Sequence, residues 1–272
     1  MKLNNRSLLW QTAFSIIARF AGVGLNFAVA IIITRTLPMN EAGMLFMLMT
    51  LVTGISLFSR VGVEQWLVRE VAGLPEQGLA EAQLRHLYSA FRLLLITSFI
   101  FMLLWVAISP VVKRDLFDGD IHLGLLWIAG LGIFFFNLVM TNSAFMKAAH
   151  HISESLLIQN ALPAVCMMLV ILLLWPFFPV NQNYLWIYTL SVVLAGLVSF
   201  YWLRAWLPSL KSRGEPITRQ SVFQSSIPLA PVSYFAFMML WADTLMTGWL
   251  LNKSIGGSSI SLELSSDKVS SL

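Results

Sequence analysis

Leu8 to Thr34 reads LLWQTAFSIIARFAGVGLNFAVAIIIT, an apolar run interrupted by a single charge, Arg19. At about 1.5 Å per residue, a helix of this length covers ~40 Å, more than the ~30 Å hydrocarbon core of a bilayer. Its outline imitates a secretory signal, with Lys2 and Arg6 ahead of it and Ala28-Val29-Ala30 as a cleavage box. The run is longer than the ~7–15 residues of a signal core and continues through Ile31-Ile32-Ile33, so it reads as a retained first span.

Six further runs follow the same pattern, at Gly43 to Leu67, Leu87 to Ile108, Leu123 to Met146, Leu156 to Phe178, Tyr184 to Trp206 and Ser225 to Leu251. The reading is an all-α integral membrane protein of about seven transmembrane helices. Pro38, Pro75, Pro110, Pro179 and Pro208 are placed in the connections, where a missing N–H costs least. Between the second and third runs, Leu84, Leu87 and Phe91 fit either a short interfacial helix or an ordinary polar connection.

Composition supports this class. The chain is 58% hydrophobic and only 11% charged, with a mean hydropathy of +0.78, too few charges to cover a soluble surface. Its basic balance reflects Lys and Arg in short segments between apolar runs, which act as orientation signals, and nucleic acid is not an expected partner. With the N-terminus cytoplasmic, ten basic residues fall on inner segments and span ends against five on outer ones, as the positive-inside rule requires. Tryptophans agree as an aromatic belt, with Trp10, Trp66, Trp202 and Trp206 at inner ends and Trp105, Trp127, Trp175, Trp186 and Trp249 at outer ends; Trp241 sits mid-span. The lone Cys166, inside an apolar run, is a small buried residue that can form no intrachain disulfide.

Ionisable groups inside apolar runs carry the functional reading, because a charge at the bilayer centre costs roughly 2.5–3.5 kcal/mol or more. Arg19 has Ser15 one turn earlier and Ala18 and Gly22 beside it, small residues that admit a close partner helix. It is either a cationic wall for an anionic ligand or a structural pair with a carboxylate or helix end. Asp243, in Trp241-Ala242-Asp243-Thr244, binds a coupling cation or proton, or pairs with an arginine of another helix; the two roles are compatible. Arg60 and Glu64, four residues apart, are expected to pair with each other. Asn26 and Asn137 are expected to hydrogen-bond to neighbouring helices, and Pro228 and Pro231 to interrupt the backbone ladder of the seventh run.

Two apparent chemical motifs are set aside. Asp118-Gly119-Asp120 imitates a sugar-transferase metal motif but lies in a short outer connection with no nucleotide-binding domain. His150-His151 diverge by about 100° if adjacent on a helix, with no third ligand nearby. There is no phosphate-cradling glycine loop and no nucleophile elbow, so neither an enzyme nor a cofactor is expected.

Two stretches are similar to a known family. Ala18-Arg19-Phe20-Ala21-Gly22 through Ile33-Thr34-Arg35-Thr36-Leu37-Pro38, then Glu41-Ala42-Gly43 and Gly62-Val63 to Leu67-Val68-Arg69-Glu70-Val71-Ala72, resembles the opening of polysaccharide-biosynthesis flippases. These are the O-antigen type transporters of the multidrug/oligosaccharidyl-lipid/polysaccharide exporter superfamily. Ile227-Pro228-Leu229 followed by Trp241 to Gly248 looks like the start of that family's seventh helix.

The resemblance implies a bacterial inner-membrane protein that turns an oligosaccharide linked to undecaprenyl pyrophosphate from the cytoplasmic to the outer leaflet. It implies two six-helix lobes around a central cavity, with lipid-linked oligosaccharide, membrane lipids and the polysaccharide polymerase machinery as partners. A pyrophosphate needs cations, and Arg19, Arg35 and Arg60 are the candidates to supply them, with Asp243 at the position of the family's aspartate. Residues 1–224 would then be the first lobe, 225–253 the seventh helix and 254–272 a disordered Ser-rich tail.

The sequence departs from that pattern after Asn252, where Gly256-Gly257-Ser258-Ser259 opens a Ser-rich end with no eighth span. A shifted reading frame or a truncated gene would produce this, and a lone lobe has only one wall of the cavity. The alternatives are a cation-coupled drug antiporter, disfavoured by the scarcity of buried carboxylates, and a non-transporting fragment or partner-dependent half. An embedded polymerase or ligase would need a longer outer loop.

Overall fold

The computed structural model describes residues 5–74, 79–117, 122–174, 184–206, 219–235 and 238–239. They form helices α1 (Asn5–Thr36), α2 (Met39–Arg60), α3 (Val63–Ala72), α4 (Leu79–Leu116), α5 (Leu123–Ala148), α6 (Ile152–Leu156), α7 (Leu162–Leu174), α8 (Tyr184–Trp206) and α9 (Arg219–Ser226). A π-helical turn, Leu157–Ala161, joins α6 to α7, and a 3₁₀ turn, Ile227–Leu229, follows α9. Among the described residues, six helical stretches are long and apolar enough to cross a membrane, from Ala13–Thr36 to Trp186–Ala205. The protein is an all-α integral membrane protein. Most of the seventh run, including Trp241 and Asp243, lies outside the described residues, as does Asp118-Gly119-Asp120.

Helix α5 is the axle of the bundle, packing on α2, α3, α4, α6 and α8. Two apolar clusters fill the interior. One gathers Ile33, Leu45, Leu48, Trp105, Leu126 and Ile133, the other Trp66, Leu67, Leu87, Phe145, Met146 and Ile158. Between them, Asn137 donates to Ser59 Oγ (2.6 Å) and Ser98 Oγ (2.8 Å), and Asn142 to Ser199 Oγ (3.0 Å). These bonds tie α5 to α2, α4 and α8 where lipid offers no alternative partner. Asn137 thus takes the interhelical role expected for it. Asn26 does likewise, donating to the carbonyl of Asn160 at 3.1 Å. The Cys166 side chain is buried and unpaired with another cysteine.

Several sequence expectations are corrected. Pro110 sits inside α4 and not in a connection. Its ring removes the N–H that would bond to the Val106 carbonyl, and the Ser109 hydroxyl donates to that carbonyl instead, at 2.7 Å. The segment from Leu79 to Phe91 is neither a separate interfacial helix nor a loop but the first turns of α4, with Leu84 and Leu87 buried. Trp105 is no belt residue: it is 1% exposed, donates from Nε1 to the Leu126 carbonyl and lies against Gly130, which has no Cβ to obstruct it. Trp66 is likewise buried, stacked on the His86 ring.

His150 and His151 are not neighbours on a helix. His150 adopts the left-handed conformation (φ 65°) that stops α5. The His151 N–H returns to the Met146 carbonyl (2.9 Å) and the His150 N–H to that of Lys147 (3.2 Å), the paired bonds of a Schellman end.

The small-residue face around Arg19 has found its partner helix. Ala18 is buried, Ser15 Oγ lies 3.1 Å from Ser153 Oγ, and a Cβ on Gly22 would stand 2.6 Å from Asn160 Cβ. Replacing Gly22 by valine is therefore expected to push α1 off the π-turn and destabilise the chain by about 1–3 kcal/mol. Thermal unfolding of the solubilised protein measures this, and an unchanged midpoint would refute the close approach.

Candidate functional site

The second run does not form one helix. Helix α2 ends at Arg60, Val61 adopts φ 47° and ψ 38°, Gly62 adopts φ 74°, and α3 starts afresh at Val63. Glycine takes this left-handed conformation without penalty, whereas a β-branched valine is strained there. The strain is held by packing from far along the chain. A Cβ on Gly62 would lie 2.5 Å from the Ser226 carbonyl oxygen and 2.7 Å from the Ala230 nitrogen, so the 3₁₀ turn at the start of the seventh run is seated directly on the break. The expected interruption by Pro228 and Pro231 takes the form of that turn. Around it, the Tyr234 and Phe58 rings meet at a tilt of 39° with centres 4.6 Å apart, and Gln65 Nε2 donates to Ser233 Oγ at 3.0 Å.

Arg60 lies at this junction. Its side chain is 6% exposed and its guanidinium pairs with Glu64, which is 20% exposed. Nε donates to the Ser56 carbonyl at 3.3 Å, and the charge sits 6.0 Å from the centre of the Phe136 ring. The pairing read from the four-residue spacing is present, although the backbone between the two residues is broken. Arg60 is consequently charge-paired, and an anion that reached it would compete with Glu64 for the guanidinium.

Arg19 and Arg35 are both exposed on α1. Arg35 lies in the last turn, where its charge complements the helix dipole. About 24 Å of helix rise and ~160° of rotation separate the two, so they do not converge on one small anion. Arg19 is flanked by exposed Ile16, Phe20 and Val23, on a surface distinct from the Ala18–Gly22 contact. Asp243 lies outside the described residues.

A polar cleft adjoins the break. It encloses about 120 Å³ between α3, α5 and the π-turn, with Glu64, Gln65, Ser143, Lys147 and Gln159 among its walls. Sequence reasoning passed over Gln65 and Gln159 because it searched the apolar runs for charges. The available signal was an amide inside an apolar run, Ile158-Gln159-Asn160 above all. Among the described residues, no group of three or more His, Cys, Asp or Glu could hold a metal ion.

The described residues form a bundle of six candidate spans with a broken helix, a charge-paired arginine and a polar cleft, and broken helices of this kind recur where transporters line a cavity. Residues 8–258 match the model of the polysaccharide biosynthesis protein family, and the chain belongs to that family. Its members are transporter-like membrane proteins, which places this chain in membrane-bound polysaccharide synthesis. Neither the curated proteins nor the solved structures yielded a match.

Proposed function

We propose that the chain serves to flip an undecaprenyl-pyrophosphate-linked oligosaccharide repeat unit from the cytoplasmic to the outer leaflet of a bacterial inner membrane, for O-antigen or a related surface polysaccharide. It acts as a transporter and not as an enzyme, with its N-terminus cytoplasmic. The observation that carries this is the family match over residues 8–258, laid on a bundle with six candidate spans. The site geometry is compatible with it. Arg19 is a cation inside the first candidate span, Ala13–Thr36, on an exposed helix face, which in a membrane is sustained by facing protein or water. It is the primary candidate to meet the pyrophosphate, Arg35 and Arg60 are secondary, and Asp243 is assigned the coupling ion or an ion pair.

Deleting the gene from its host is expected to abolish the surface polysaccharide, and the wild-type chain to restore it. Arg19→Ala is expected to restore less than about a tenth of it while inserting normally, the loss of one charge-assisted contact being worth ~1.5–3 kcal/mol. Polysaccharide that persists after deletion refutes the transport reading. Full restoration by Arg19→Ala and by Asp243→Ala refutes the site assignment alone.

A further inference from the structure

The cleft beside the α2–α3 break has a chemistry that selects its occupant. Its walls carry both signs of charge, with Glu64 on α3 and Lys147 at the end of α5. Glu64 directs Oε1 at Arg60. Ser143 donates its hydroxyl proton to the Ser155 carbonyl at 3.0 Å, so towards the cleft its oxygen is an acceptor. Gln65 commits one amide hydrogen to Ser233, which leaves a second N–H and a carbonyl oxygen. Gln159 adds another amide, and Val68, Met140 and Ala144 supply an apolar lining.

A phosphate would meet one ammonium, Lys147, beside a Glu64 carboxylate that is an acceptor already paired with the Arg60 guanidinium; a metal cation would be repelled by Lys147. A neutral polyol suffers neither penalty. Its hydroxyls donate to the carboxylate, the serine and the amide carbonyls and accept from the ammonium and amide N–H groups, while a C–H face rests on the apolar wall. The volume sets the size: 120 Å³ is several times the ~10–15 Å³ that one water needs and well below the ~300 Å³ at which pockets take drug-sized ligands. That is room for about one sugar ring, with the rest of any attached glycan outside the open mouth.

The π-turn is the independent observation. Wide turns of this kind cost ladder hydrogen bonds and recur at functional sites. Here the turn presents the Asn160 carbonyl to Asn26 on α1 and sets Gln159 on the cleft. We infer that this cleft is a subsite for a single sugar ring, held by Glu64, Gln65, Ser143, Lys147 and Gln159. The inference rests on the flippase reading for the source of the sugar, a glycolipid headgroup, but not for the binding itself.

The test is saturation-transfer NMR on the purified full chain in lipid nanodiscs, with glucose, galactose, rhamnose and N-acetylglucosamine as probes and inorganic phosphate followed by phosphorus line broadening. At least one sugar is expected to receive saturation. The Gln65→Ala/Gln159→Ala variant, which removes two contacts of ~0.5–1.5 kcal/mol each, is expected to weaken binding about tenfold. Gln159→Ala alone, at an exposed side chain, covers the case in which the double variant fails to fold and should weaken binding about threefold. Leu173→Ala, at an exposed position on α7, should bind as wild type. No transfer to any of the four sugars, undiminished transfer in the glutamine variants, or broadening of phosphate without sugar transfer overturns the inference. Sugar binding by a chain whose gene deletion leaves the surface polysaccharide intact refutes the transport reading and leaves this subsite standing.

Discussion

Gly62→Ala is expected to release the start of the seventh run from the first six spans. The added Cβ would meet backbone atoms, the Ser226 oxygen at 2.5 Å and the Ala230 nitrogen at 2.7 Å, which cannot swing aside as a side chain would. The substitution also places a Cβ at φ 74° next to a valine already strained at φ 47°. Strain of ~1–2 kcal/mol and overpacking of ~1–3 kcal/mol give a loss of about 2–5 kcal/mol. Gly24→Ala is the contrasting case, since no atom lies within 4 Å of its added Cβ and α1 gains up to about 1 kcal/mol of helix propensity. Docking is read by thiol cross-linking of Gln65→Cys to Ser233→Cys with a short bifunctional reagent. Replacing Cys166, the only cysteine in the chain, by serine leaves no competing thiol. Equal cross-linking yields with glycine and alanine at 62 would show that the junction does not depend on this contact.

The break at Gly62 marks where sequence reading ends. Spans are legible because bilayer thickness imposes a length on every apolar run, and among the described residues the first six expected runs each correspond to a candidate membrane-crossing helix. The break is not legible because its cause is remote: Ser226 and Ala230 hold Val61 and Gly62 in a conformation that local sequence disfavours. Pro110 taught the opposite lesson. A proline reads as a helix end, yet the preceding serine covers the exposed carbonyl and α4 continues.

At the candidate site, local spacing was a sound guide and distance was not. Four-residue spacing gave the Arg60–Glu64 pair, and small residues around Arg19 announced a close helix without saying which one. Spacing along the chain could not guarantee that one helix runs unbroken through Arg19 and Arg35, which is what turns their sixteen-residue separation into ~160° of rotation. Nor could it reveal the cleft, which α3, α5 and the π-turn build jointly from residues as far apart in sequence as Glu64 and Gln159.

The Arg60–Glu64 pair permits a measurement that separates structure from binding. Glu64→Leu leaves a guanidinium that is 6% exposed without its carboxylate partner, so it is expected to cost about 3–5 kcal/mol. Arg60→Leu leaves a carboxylate that is 20% exposed and opens onto the polar cleft, so the smaller loss is expected there, about 1–3 kcal/mol. The double replacement removes both charges and should leave a loss of only ~1–2 kcal/mol against summed single losses of ~4–8 kcal/mol, a coupling of ~3–6 kcal/mol in a cycle read by thermal or denaturant unfolding. Additive losses would mean that the two side chains do not depend on each other. If the double variant is stable and still restores surface polysaccharide to a deletion strain, Arg60 is a structural partner and no substrate cation. If it is equally stable and restores none, the pair takes part in transport, Arg60 by meeting an anion or Glu64 as a wall of the cleft, and Glu64→Gln with Arg60 retained tells the two apart.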